Sequence, residues 1–90
     1  MVKVKNVEGS SFLNPPFPYS SWLDYWEKNT GNRATYCACF GCSNRAEHGA
    51  HVHIYGAFDN NMYIVPLCSE CNNPNNDRPF EVTGALCKVA

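Results

Sequence analysis

The chain has no apolar run long enough to cross a membrane, and its opening residues, Met1-Val2-Lys3-Val4-Lys5-Asn6, contain no apolar core of the kind a secretory signal needs. Neither a membrane protein nor an exported one is expected, so the predicted setting is the reducing cytoplasm. An excess of one charge is also lacking. Seven Lys and Arg stand against eight Asp and Glu, a formal charge of −1, without the basic surplus that phosphate neutralisation calls for. The cations Lys3, Lys5, Lys28, Arg33, Arg45, Arg78 and Lys88 are scattered, and no run of them reads as a nucleic-acid arm. Internal repeats and long low-complexity tracts are absent as well, which excludes a solenoid and leaves one domain of 90 residues. A domain this short buries too little surface to rely on its core alone, and a second source of stability is expected.

Six cysteines are the candidate for that source. In a reducing setting they point to metal before disulfides. Cys37-Ala38-Cys39-Phe40-Gly41-Cys42 is followed, after 25 intervening residues, by Cys68-Ser69-Glu70-Cys71. Two short-spaced thiol groups joined by a hairpin can meet at one tetrahedral ion, each reaching from its own turn. Zn²⁺ suits such a sulfur-rich site, and iron in a rubredoxin-like site is the minor alternative. Four deprotonated thiols around a divalent ion add a net −2, which takes the holoprotein to about −3 and further from nucleic acid. The first pair is ambiguous. The tight Cys-x-x-Cys spacing favours Cys39 with Cys42, whereas Cys37 with Cys42 makes a looser turn. The cysteine left over, and Cys87, read as small buried hydrophobes, since free cysteine is among the most buried residue types.

Around this constellation the chain divides into three parts: an extended segment over 1–19, an aromatic helix over 20–31 and a metal-organised core over 34–90. Val-Lys-Val-Lys predicts an edge strand, and Asn14-Pro15-Pro16-Phe17-Pro18 predicts an extended tether. Ser21 is placed to cap the helix, Asp24 holds the capping-box position, and Gly31 supplies a left-handed stop. Trp22, Tyr25 and Trp26 fall on one face. Core packing is the favoured use of that face, and Trp22 and Tyr25 are kept as candidates for binding a protein partner. Gly49–Tyr55 alternates as a strand, Phe58-Asp59-Asn60-Asn61 closes a hairpin, and Met62–Leu67 returns, with Pro66 tolerated near its end. Asn72–Asp77 reads as a loop, and Phe80–Thr83 with Ala85–Val89 as two short strands about Gly84.

Cys-x4-Cys, then Gly49-Ala50-His51-Val52, then Tyr63-Ile64-Val65-Pro66-Leu67-Cys68 with Cys71-Asn72, resembles the core of HNH-type treble-clef domains. More narrowly, with Ser21-Trp22-Leu23-Asp24 and Phe80-Glu81-Val82, residues 20–89 resemble a group of short bacterial and phage-type proteins. The resemblance implies a small α+β zinc-binding domain, a treble-clef or HNH-like β-hairpin with a short N-terminal helix. It also implies Cys37, Cys42, Cys68 and Cys71 as metal ligands, with Cys39 a bystander or the alternative to Cys37. In an HNH nuclease, His51 would be the general base beside a catalytic Mg²⁺ or Mn²⁺. The rest departs from that pattern: Ala50 stands where an acid is usual, Tyr63 at the central asparagine position, and Asn72 or a neighbour at the last. His53 shares a strand face with His51. Asn60, Asn61, Asn73 and Asp77 read as turn residues in preference to ligands. The expected function is a noncatalytic zinc module that binds a protein partner, with a His51-dependent nuclease and a noncleaving nucleic-acid binder as alternatives.

Overall fold

The computed structural model describes residues 1–7, 14–73 and 75–89. Residues 8–13 of the N-terminal segment and residue 74 of the Asn72–Asp77 loop lie outside this description. The described residues form strand β1 (Val2–Asn6), helix α1 (Trp22–Thr30), and strands β2 (His48–Ile54), β3 (Tyr63–Leu67), β4 (Phe80–Val82) and β5 (Cys87–Lys88). The strands make one antiparallel sheet in the order β4-β1-β2-β3-β5. No helix among the described residues is long and apolar enough to cross a membrane.

The predicted edge strand is corrected, because β1 is paired on both sides. Val4 lies opposite Ile54 of β2 and opposite Phe80 of β4, and Lys3 opposite Glu81. Val4 is fully buried while Lys3 and Lys5 are exposed, so the alternation was read correctly and its place in the sheet was not. The two C-terminal strands do not pair with each other. β4 closes one edge beside β1, and β5 closes the other beside β3.

Strand alternation sorts the sheet into two faces. Val4, Ala50, Val52, Val65, Leu67 and Val82 pack on one face with Cys37, Ala38 and Cys68. On the other, Ile64 and Cys87 pack against Tyr25 and Trp26 of α1. A nine-residue helix is not stable alone, and its ends are both fixed locally. Ser21 Oγ accepts from the Asp24 N–H at 3.0 Å, and Gly31, at φ 73°, donates its N–H to Glu27 O. Docking supplies the rest: Tyr25 Oη donates to Lys88 O and Trp26 Nε1 to Ala85 O, each at 3.0 Å. The aromatic face therefore holds the helix down. Of the two candidates for partner binding, Tyr25 is buried and Trp22 half-buried.

Gly49 explains how closely α1 approaches. A Cβ at this position would lie 2.5 Å from Leu23 N and from Trp22 C, an overlap with backbone that no rotamer relieves. Glycine lets the first helical turn rest directly on β2.

Candidate metal centre

The first cysteine segment is strapped across the sheet by backbone bonds. Ala38 N donates to Pro66 O, Phe40 N to Glu81 O, and Thr83 N to Ala38 O, all at 2.8–2.9 Å. Its tip is a turn: Cys42 N donates to Cys39 O at 3.0 Å, and Gly41 takes φ 82°, a left-handed conformation that favours glycine. Cys37 N donates to Asn44 O at 2.8 Å, which folds the segment back on itself.

The second pair leaves the end of β3. Asn72 N donates to Cys68 O at 3.0 Å to form its turn, and Glu47 accepts the Ser69 N–H at 3.1 Å. The Cys71 carbonyl receives two side-chain amides, Asn6 Nδ2 at 3.1 Å and Asn76 Nδ2 at 3.2 Å. Among the described residues no helix follows β3.

These two turns bring the sulfurs of Cys37, Cys42, Cys68 and Cys71 within 4.8 Å of one another. Four thiolates at a Zn–S distance of about 2.3 Å in a tetrahedron are spaced by about 3.8 Å. Cys42 Sγ and Cys68 Sγ are 3.8 Å apart. All six cysteines are free thiols. The donor set and its spacing fit a four-sulfur ion site that protein ligands fill completely.

Thiol ionisation is uneven across the group. Burial pushes Cys37 up, and burial with the neighbouring Cys68, Cys37 and Cys39 thiols pushes Cys71 up. Burial opposes ionisation of Cys68 too, but the Cys71 backbone N–H, the Asn44 amide, and the Cys71 and Cys37 thiols outweigh it and bring Cys68 down to about 7. Asn44 Nδ2 lies 3.6 Å from Cys68 Sγ. Ion binding deprotonates the ligand thiols, so loading of the group releases protons.

Cys39 stands outside the group of four. Its thiol makes a 4.0 Å contact with Phe40 O, and it is half-exposed. Cys87 is on the opposite face, buried with Tyr25 and Trp26.

His51 does not occupy an open cleft. It is 5% exposed, its Nε2 is buried without a hydrogen-bond partner among the described residues, and the Trp22 ring crosses it edge-on at 4.5 Å between centroids. Burial lowers its pKa. A general base must reach a water and a scissile phosphate, and this imidazole is roofed by α1. The structure therefore places the candidate general base beneath the helix, 5% exposed. His53 is turned to the hairpin, with Nδ1 3.0 Å from Asn61 O. The asparagine candidates make turn bonds: the Asn75 N–H donates to Asn73 Oδ1 at 2.9 Å, and the Asn61 N–H to Asp59 Oδ1 at 3.0 Å.

Asn6, Asn44 and Glu47 support the cysteine turns and were not foreseen. Asn6 is 65 residues from Cys71, so no local pattern could have linked them. Neither a protein-family model, nor a curated protein, nor a solved structure matches the chain.

Proposed function

We propose that this chain is a small structural-zinc protein with a degenerate HNH-like core, a noncatalytic module that acts by presenting its surface to a protein partner. The convergence of four cysteine sulfurs within 4.8 Å carries this reading. Cys37, Cys42, Cys68 and Cys71 hold the ion, which supplies cross-linking of two distant turns and no open coordination position. Zinc is proposed ahead of iron because it suits a sulfur-rich tetrahedral site that has no redox duty.

The treble-clef resemblance is kept for the cysteine turn, the β2–β3 hairpin and the second cysteine turn. A nuclease is less supported. His51 is enclosed beneath Trp22, and no described helix follows β3 to offer a ligand for a catalytic ion. A partner finds apolar contact on aromatic side chains outside both cores: Tyr36 and Phe40 beside the first cysteine turn, and Tyr55 and Phe58 at the hairpin end.

Native mass spectrometry of protein purified under reducing conditions tests the metal, with one zinc ion per chain expected. Cysteines oxidised in pairs with no metal bound would remove the reading. Incubation with supercoiled plasmid and Mg²⁺, Mn²⁺ or Ni²⁺ tests the absence of catalysis, and no nicking is expected. Nicking that is lost in His51→Ala would restore the nuclease.

A further inference from the structure

Five of the six cysteines lie on one side of the sheet, and only four form the ligand group. The fifth, Cys39, does not fit the role of a small buried hydrophobe, which Cys87 does fill. Cys39 is half-exposed beside the exposed Phe40 and Gly41, at the solvent end of the cluster. It also stands against the two ligands that are themselves half-exposed. With Cys42 it closes the turn Cys39-Phe40-Gly41-Cys42, whose ends a β-turn holds within about 7 Å between Cα atoms, near the reach of a disulfide. Cys39, Cys42 and Cys71 all pack against the same core cluster. The inner ligands, Cys37 and Cys68, are buried.

We propose that Cys39 is a peroxide-sensitive modification site whose oxidation opens the metal centre and releases the ion. The proposal rests on the zinc reading above and adds a means of control to it. Metal-held thiolates have their lone pairs engaged with the ion, so the unligated, accessible thiol meets a small hydroperoxide first. The Cys39 sulfur takes one oxygen from hydrogen peroxide, giving a sulfenic acid and one water. Cys42 or Cys71 then dissociates from the ion, and its freed thiolate attacks the Cys39 sulfur. An S–S bond forms, the S–O bond breaks, and hydroxide leaves to be protonated to a second water. Two thiols have then lost two electrons and the peroxide has gained them. Zinc keeps three sulfur ligands in place of four and is lost. A thiol reductant reverses the change.

The experiment follows zinc release with a chromogenic chelator while zinc-loaded protein is exposed to hydrogen peroxide, then maps disulfides by tandem mass spectrometry. Wild-type protein is expected to release its zinc and to carry Cys39 linked to Cys42 or Cys71. Cys39→Ser is expected to load one zinc, fold as wild type does and release zinc several-fold more slowly. Cys87→Ser is expected to release it at the wild-type rate. Release from Cys39→Ser at the wild-type rate, release with Cys39 unmodified, zinc retention by wild type under peroxide, or failure of Cys39→Ser to load zinc each overturns the proposal. Wild-type protein that carries no zinc before peroxide is added removes the metal reading itself, a result seen before the oxidation step begins.

Discussion

The two faces of the sheet are stabilised by different means. On the face that carries Val4, Val52, Val65, Leu67 and Val82, the covering layer is a loop with little secondary structure, and cysteine sulfurs end it. On the other face, the cover is a capped helix that seats two aromatic rings and donates two hydrogen bonds from them. The first layer cannot be held by burial alone, because its contribution to the core from outside the sheet is small residues: Cys37, Ala38 and Cys68. The second needs no ion, yet it encloses one polar atom, His51 Nε2, without a partner among the described residues. On the zinc reading the loop cover is held by backbone straps and an ion, and the helix cover by its own packing.

Metal removal is the strongest way to break this contrast. A structural zinc contributes about 10–16 kcal/mol, against about 5–15 kcal/mol for the whole stability of a domain. Chelation, or Cys68→Ser, is therefore expected to unfold the loop-covered face and, through the shared sheet, the rest of the chain. Circular dichroism melting with and without chelator measures it. Retention of the wild-type melting temperature without metal would make the two faces alike.

Next in size is Trp26→Ala, which empties a buried site and deletes the bond to Ala85 O. A loss of about 3–5 kcal/mol is expected in urea unfolding, with zinc content unchanged. A fall in zinc content would show that the faces are coupled in the native state.

Gly49→Ala is expected to cost about 1–3 kcal/mol, since the new Cβ must push the backbone of Trp22 and Leu23 away. Near-ultraviolet circular dichroism of the tryptophans should change while zinc loading does not.

The smallest expected effect is that of pH on the helix face. His51 has a lowered pKa in the folded protein because burial disfavours its charged form. The unfolded chain therefore binds a proton that the folded one does not. Stability from this group is complete above the unfolded value of about 6.5 and is lost as pH falls below it, by at most about 1.4 kcal/mol per pH unit. His51→Leu should reduce that slope between pH 7 and 5.5 in urea unfolding with zinc in excess. An unchanged slope would show that acid acts on the thiols alone.

Much of the helix face was legible in the sequence, because its signals are local. Ser21, Asp24 and Gly31 mark the ends, the spacing of Trp22, Tyr25 and Trp26 marks the docking face, and alternation marks β2 and β3. Cys39 with Cys42 has the tighter local spacing, yet the structure groups Cys37 with Cys42, Cys68 and Cys71. The straps from Ala38 to Pro66 and from Thr83 to Ala38 set the segment's height above the sheet, and spacing does not encode such long-range bonds. The place of β1 and the separation of β4 from β5 were not legible for the same reason. Gly49, two residues before His51, carries a signal that spacing alone does not interpret: a helix lies directly on that strand.

The position of β1 has a consequence for the order in which the molecule assembles. Its neighbours are β2 and β4, so both its edges are satisfied only once residues 80–82 have paired with it. Without β4 in place, Val2–Asn6 would present an open row of amides and carbonyls, the kind of template on which strands of other molecules add. Three residues late in the chain thus act as a guard for five early ones.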